Sequence, residues 1–476
     1  MTEPSTCDRG APRDLPPAPG SRASRTDAWS TGAPGERPDF DRALLGRLAR
    51  EHGTPLYVYD LDHAAARLAR LTQPRRGVAA GGHAAAAGAL EPERAGFDAV
   101  RYAQKANTNL ALLRRLAREG ARIDAVSAGE LLRAIAAGFA PRDIQVTADA
   151  LDRDLAALVG ARGDTGELTY DVDLSVGSLD ALRHIAALGR TRTALRINPG
   201  FGAGHHAKVT TGGPGTKHGI WHADAQVAVE LARALGVTLT GLHLHVGSGA
   251  TQERLEEMIA FTSEMLALMG PSVARVSIGG GLPVPYRPED APFNPAPFLA
   301  RWRAAKLDWE RARSGAPLEL EVEPGRYLVA HAGVLVTEVL GSNRTPAFTF
   351  LMVDAGFHSV IRPAMYGAYH HVSPLICNEG AGTPMTPQVV AGPLCETSDL
   401  LTQTKMGEPD ARLMPALQRG DLLLVHDVGA YGATMASGYN ARPLPAEVVI
   451  EGGVATLARP REDLAAKIAE EALRLT

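Results

Sequence analysis

From about residue 55, short apolar runs alternate with amphipathic segments of helical period for some 250 residues, and then the rhythm changes. Strands are predicted at 55–59, 100–105, 122–126, 144–147, 193–197, 238–245, 275–278 and 318–322, with helical segments between them. In the first such helix Asn107 and Thr108 are candidate caps. Leu110, Leu113, Leu116 and Ala117 line one face, and Gly120 ends it. A helix between successive strands returns the chain in the same direction, so the strands pair in parallel. About eight of them point to a closed (β/α)8 barrel of TIM type. After Arg326 the predicted strands, at 334–339, 348–353, 388–391, 421–425 and 445–450, have few helices between them. The fold class expected is therefore α/β: a barrel over 71–326, then a mostly antiparallel β unit over 327–476 that ends in a helix at 461–475. Residues 41–70 are expected to join the β unit in part.

Two units agree with 476 residues, which exceed one ordinary core. A net charge of −4 without a basic stripe argues against a nucleic-acid partner, and no apolar run is long enough to span a bilayer. The only cysteines are Cys7, Cys377 and Cys395, which argues against a disulfide framework and for a reducing cytoplasm. Residues 1–40 carry seven prolines and almost no apolar periodicity, so they read as a disordered, dispensable tail without a secretory signal. The small-residue stretch 81–88 reads as a surface insertion.

Within this frame chemical signatures follow one another in order. Lys105 ends a predicted barrel strand, where such barrels build their active sites. A buried lysine needs a reason, and Schiff-base chemistry is one. His243 and His245 share a strand face. They could start a zinc site, but no third ligand is evident. The alternatives are a polar barrel layer or an imidazole stacked on a flat cofactor ring. Gly247-Ser248-Gly249 and Gly279-Gly280-Gly281 end successive late strands, where backbone N–H groups and the Ser248 hydroxyl can approach a phosphate. Glu321 and Glu323 share an inward face. A buried carboxylate needs a partner, which for Glu323 is either a protonated pyridine nitrogen or a base such as Arg326. Arg362 can hold a carboxylate bidentately, and Cys395 precedes Glu396 after a Gly-Pro turn. A lysine, a phosphate cradle, an inward carboxylate and a placed thiol are the parts that an enzyme using pyridoxal 5′-phosphate (PLP) requires.

From residue 53 to about 450 the chain resembles the fold-type III PLP-dependent decarboxylases, which have an alanine racemase-like fold, and the diaminopimelate decarboxylases in particular. The most specific stretches are Arg196-Ile197-Asn198-Pro199-Gly200, Lys217-His218-Gly219-Ile220, Arg362-Pro363-Ala364-Met365-Tyr366-Gly367 and Ser437-Gly438-Tyr439-Asn440. The resemblance implies that Lys105 carries PLP and His245 stacks on its ring. Ser248, Gly280, Gly281, Gly325 and Arg326 would hold the phosphate, with Tyr431 closing over it, and Glu323 would meet the ring nitrogen. Arg326, Arg362, Tyr366 and Glu396, with Tyr431 beside them, would bind the substrate's distal end. Cys395 would donate a proton from across a homodimer interface.

The implied reaction is decarboxylation of meso-2,6-diaminopimelate to L-lysine and CO2. Alternatives are a decarboxylase of D-ornithine, D-lysine or a specialised-pathway amino acid, an amino-acid racemase, or a non-catalytic homologue. The N-terminal 40 residues, the 81–88 insertion and Thr397-Ser398 after Glu396 depart from the family pattern and bear on substrate range.

Overall fold

The computed structural model describes residues 36–72, 96–202, 212–247, 252–376 and 384–475. Cys7, Cys377, Ser248 and the 81–88 insertion lie outside the described residues. Strand β1 (Leu56–Asp60) precedes a closed parallel barrel. The barrel comprises β2 (Ala99–Ala103), β3 (Arg122–Ala125), β4 (Ile144–Ala148), β5 (Asp173–Val176), β6 (Arg192–Asn198), β8 (Thr238–Leu244), β9 (Arg275–Ser277) and β10 (Glu319–Val322). The two-residue strand β7 (Ile220–Trp221) sits beside β6. Each barrel strand pairs in parallel with the next, and β10 returns to β2.

The barrel strand that the alternation did not reveal is β5. Its sequence, Asp-Leu-Ser-Val, turns Asp173 and Ser175 inward and leaves only two apolar residues for the outer face. The run at 55–59 is not a barrel strand, since β1 pairs with two strands of the other sheet.

The barrel interior is polar in two layers. Toward the strand starts, Arg101 is fully buried and donates to both oxygens of Glu321, at 2.9 and 2.8 Å, and to Asp173 at 3.0 Å. Toward the strand ends lie Asp124, Gln145, Thr147, Ser175, His243, Ser277 and Glu323, all buried. Apolar residues fill the shell between barrel and helices, with Leu112, Leu113 and Leu116 packed inward from the helix Leu110–Arg118. The cap of that helix is Asn109, whose Oδ1 accepts from Ala111 N at 3.0 Å. Asn107, one of the two expected caps, is committed elsewhere, donating to Gly429 O at 3.0 Å.

The second sheet contains β11 (Gly333–Arg344), β12 (Thr349–Val353), β13 (Val372–Ile376), β14 (Met385–Ala391), β15 (Arg412–Pro415), β16 (Leu422–Val425), β17 (Ala446–Glu451) and β18 (Val454–Arg459). Its order is β15-β14-β12-β11-β1-β17-β18, with β16 on β11 and β13 on β16. Pairing is antiparallel except at β1–β17 and β12–β14. Prolines at 374 and 415 hid β13 and β15 from the pattern. A small core lies between this sheet and the helix Arg42–His52, built on Leu45, Leu48, Leu56, Val58, Val334 and Val336. The closing helix is Leu464–Leu473. Among the described residues no helix is long and apolar enough to cross a membrane.

Residues 36–40, expected in a disordered tail, are placed. Glu36 is 5% exposed and reaches Arg67 Nη1 at 2.6 Å and Arg70 Nη1 at 2.8 Å. Arg37 forks onto Asp427 through two contacts of 3.1 Å and donates to Pro285 O at 2.5 Å. Charge pairing, not apolar periodicity, docks this segment, which is why hydrophobic patterning missed it.

Candidate active site

A cleft of about 700 Å³ opens at the carboxyl ends of the barrel strands, with the second sheet as its far wall. Lys105 follows β2 in a single 3-10 turn, Gln104–Ala106, and its side chain is exposed to the cleft. Among the described residues no hydrogen bond or ion pair engages it. The two units are sewn together beside it, since Tyr431 N donates to Ala106 O at 2.8 Å next to the Asn107–Gly429 bond. Gly429 is glycine by necessity here, because an added Cβ would stand 1.9 Å from Val329 O.

The floor is built from β10, β9 and β8. Glu323 Oε1 accepts from Ser277 Oγ at 2.7 Å and Gln145 Nε2 at 2.9 Å, and Oε2 lies 3.0 Å from His243 Nε2. Burial alone would raise the Glu323 pKa. The charge and hydrogen bond of His243, together with Ser277, outweigh it and hold the carboxyl well below the usual carboxylate range. The arrangement therefore favours the ionised form of the floor carboxylate. The base expected as the alternative partner of Glu323 is His243 and not Arg326. His243 is itself held by Ser175 Oγ at 2.8 Å, so this histidine belongs to the polar barrel layer.

His245 lies just past the end of β8, where its Nδ1 accepts from Gly280 N at 3.1 Å. Burial, followed by the nearby charges of Lys105 and Arg196, pushes its pKa well below the ordinary value. It presents a neutral ring with the proton on Nε2. Gly280 leaves no room for a side chain, since a Cβ would meet Glu323 O at 2.3 Å. Gly281 and Gly325 border the same corner.

The wall is cationic. Arg326 donates from Nη1 to Tyr286 Oη at 2.9 Å and lies 4.9 Å from the Tyr431 ring centre. Arg362, 7% exposed, lies 4.8 Å from the Tyr286 ring centre. Among the described residues no carboxylate pairs with either guanidinium. Tyr366, Tyr369 and Lys405 complete this side.

The cleft thus gathers Lys105, His245, Gly280, Gly281, Glu323, Gly325, Arg326, Arg362, Tyr366 and Tyr431. Ser248 lies outside the described residues. Cys395 and Glu396 do not border the cleft of their own chain. Both are exposed, Cys395 N donates to Asn440 Oδ1 at 3.3 Å, and Glu396 accepts from the Tyr439 hydroxyl. Sequence reasoning missed Asp124, Tyr286 and Lys405. Asp124, whose pKa is raised by burial and by Glu323, left a usable signal as a polar residue at an inward position of a predicted strand. Tyr286 and Lys405 sit in loops and left none.

A family model for the pyridoxal-dependent decarboxylase pyridoxal-binding domain matches residues 90–330. Diaminopimelate decarboxylase of Escherichia coli K12 is 38% identical over 442 residues, covering 91% of this chain and 98% of the relative. That of Streptomyces coelicolor is 39% identical over 450 residues, covering 92% and 94%. A crystal structure of a diaminopimelate decarboxylase superposes with a TM-score of 0.81 at 37% identity, covering 91% of this chain and 97% of its own. The matched segment holds Lys105, the glycine corner and Glu323, and the relatives run through the second sheet as well, so the chain belongs to the diaminopimelate decarboxylase family of pyridoxal-dependent decarboxylases.

Proposed function

We propose that this protein is a PLP-dependent α-decarboxylase that converts meso-2,6-diaminopimelate to L-lysine and CO2. One observation carries the substrate reading: two guanidiniums, Arg326 and Arg362, face the cleft of Lys105 with no carboxylate partner among the described residues. Uncompensated cations in a partly desolvated site call for anions, and a phosphorylated cofactor and a dicarboxylic substrate supply them.

The donor set fits the cofactor. A lysine amine with no hydrogen bond or ion pair among the described residues, a corner at Gly280 too tight for any side chain, a neutral imidazole at His245 and a buried anion at Glu323 all border one cleft. Lys105 would anchor the cofactor covalently, with His245 against its ring. Gly280, Gly281, Gly325 and Arg326 would hold its phosphate, joined by Ser248 and closed by Tyr431. When bound, PLP supplies an electron sink for the pair released as the bond from Cα to the carboxylate breaks.

Glu323, favoured as the carboxylate, would stabilise a proton on the ring nitrogen of the cofactor. Arg362 and Tyr366, with Arg326 and Tyr431 beside them, orient the distal ammonium and carboxylate so that the α-carboxylate is the one lost. Cys395 Sγ delivers a proton to Cα, and Glu396 takes the distal ammonium. Both residues would come from a second copy, because they lie away from their own cleft, so the working unit is a homodimer. A cytoplasmic setting suits a catalytic thiol.

The test is CO2 release by the PLP-loaded protein with meso-diaminopimelate, D-lysine, D-ornithine and L-ornithine side by side. The expected result is a strong preference for meso-diaminopimelate. Preference for a monocarboxylic diamine would remove the dicarboxylate reading, and full turnover by Lys105→Ala would remove the PLP mechanism.

A further inference from the structure

We propose that His370 is a specificity-determining positioning residue, which holds the Arg362 guanidinium through an uncharged acceptor and so keeps its positive charge available to a substrate carboxylate. The inference rests on the reading of Arg362 as the distal-carboxylate receptor.

Arg362 Nη1 lies 2.8 Å from His370 Nε2, and His370 Nδ1 lies 2.8 Å from His426 O. A carbonyl oxygen only accepts, so Nδ1 carries the imidazole proton. A guanidinium only donates, so Nε2 offers its lone pair. Both contacts are satisfied by one neutral tautomer, and an imidazolium would set an N–H donor against the guanidinium. The ring is fully buried, and burial followed by the charge of Arg362 pushes its pKa down to about 3.

The placement follows from strand register. Val372 of β13 stands opposite Val425 of β16, and His426 N donates to His371 O at 2.9 Å, which brings the His426 carbonyl over His370. The third side is closed by Tyr286, edge-on to His370 at 5.6 Å between centroids, with its ring also flanking Arg362. His370 and Tyr286, which contact Arg362, are neutral, and the nearby charge that acts on it is the guanidinium of Arg326.

The rest of the molecule supplies the contrast. Arg101 is held by Glu321, Arg67 by Glu36 and Arg37 by Asp427, each pair with its carboxylate buried. The buried Arg101 and Arg67 are thereby neutralised, whereas the buried Arg190 is held chiefly by the backbone carbonyls of Val159, Tyr170 and Val172. At Arg362 the acceptor is an imidazole, which holds Nη1 and leaves the charge in place. A carboxylate at position 370 could accept from Arg362 and cancel its charge, but it could not donate to the His426 carbonyl as the imidazole does.

The experiment compares PLP-loaded His370→Glu, His370→Gln and His370→Met with the parent enzyme. KM and kcat are read separately for meso-diaminopimelate and for D-lysine, which lacks the distal carboxylate. Glutamate should raise KM for meso-diaminopimelate about 10- to 100-fold with kcat largely kept, and leave KM for D-lysine within about threefold. Glutamine, whose amide can accept from Arg362 and donate to the carbonyl, should recover most of the affinity that methionine loses. Equal KM values for the glutamate and glutamine variants, or equal shifts for both substrates, would overturn the proposal. If the glutamate variant does not load PLP, methionine decides: a raised KM that glutamine recovers supports the role, and an unchanged KM overturns it. Arg362→Met separates the two levels. If it leaves KM for meso-diaminopimelate unchanged, the receptor reading of Arg362 fails. If it raises KM while the His370 variants do not, only the role of His370 fails.

Discussion

Gly280→Ala tests the phosphate corner with the smallest possible change. An added Cβ would stand 2.3 Å from the Glu323 carbonyl oxygen, whereas ordinary contact begins at 3.4 Å, so backbone must yield by about 1 Å. The obstacle is main chain at the end of β10, not a flexible side-chain tip. The movement is shared between the glycine corner and the residue that supplies the floor anion. It also draws Gly280 N away from His245 Nδ1, to which it now donates at 3.1 Å. Overpacking of this kind costs about 1–3 kcal/mol. If the strained backbone is the surface that binds the phosphate, PLP affinity should fall by roughly 5- to 150-fold. The assay is equilibrium titration of cofactor-free protein with PLP. Gly215→Ala serves as control, because a Cβ there meets nothing within 4 Å. PLP binding by Gly280→Ala within twofold of the parent, with unchanged thermal stability, would refute the steric argument and the assignment of this corner to the phosphate.

His358 is 2% exposed, and burial followed by Arg442 lowers its pKa to about 4, so the unfolded chain takes up a proton that the folded one refuses. Stability should therefore fall as pH drops from about 6.5 to 4, by up to about 1.4 kcal/mol per pH unit from this residue. His358→Gln should flatten the pH dependence of the unfolding free energy from urea titration by that much, and identical slopes would contradict it. Arg101→Met leaves the fully buried Glu321 with Arg122 as its remaining bonded partner at 2.8 Å, and should cost about 3–5 kcal/mol in urea unfolding. A loss below about 1 kcal/mol would show the pair to be dispensable. Cys395→Ala should slow product formation while PLP stays bound. Mixing it with Lys105→Ala should restore turnover if sites are shared between copies, and no restoration would argue for sites complete within one chain.

The barrel was legible wherever inward positions were apolar or the outer face was rich enough to mark a strand, as at 122–126 and 144–147. It was illegible at Asp173–Val176, because the strand gives Asp173 to the internal charge network and Ser175 to the polar layer around His243. Lys105, Glu323 and the glycines could be read because their chemistry is local: a lysine or glycine at a strand end carries its own signature. Tyr286 could not. It matters through contacts with Arg326, Arg362 and His370, which converge only in three dimensions. Glu36 and Arg37 were misassigned for a related reason. Their partners, Arg67, Arg70 and Asp427, are far along the chain, and an ion pair leaves no periodic trace.

The order of the strands also separates the labour of the two units. β1 is made before the barrel, yet its partners β11 and β17 come after it, so the second sheet cannot close until the chain is nearly complete. Until then the barrel can present Lys105, Glu323, His245 and the glycine corner, which are the groups assigned to the cofactor. Arg362, Tyr366 and Tyr431 arrive with the second sheet, and the Tyr431–Ala106 and Asn107–Gly429 bonds lock them against the turn of Lys105. Damage to the barrel layer should therefore appear first as loss of PLP. Damage to the β13–β16 register, which sets His370 and through it Arg362, should leave PLP bound and change which amino acid is accepted.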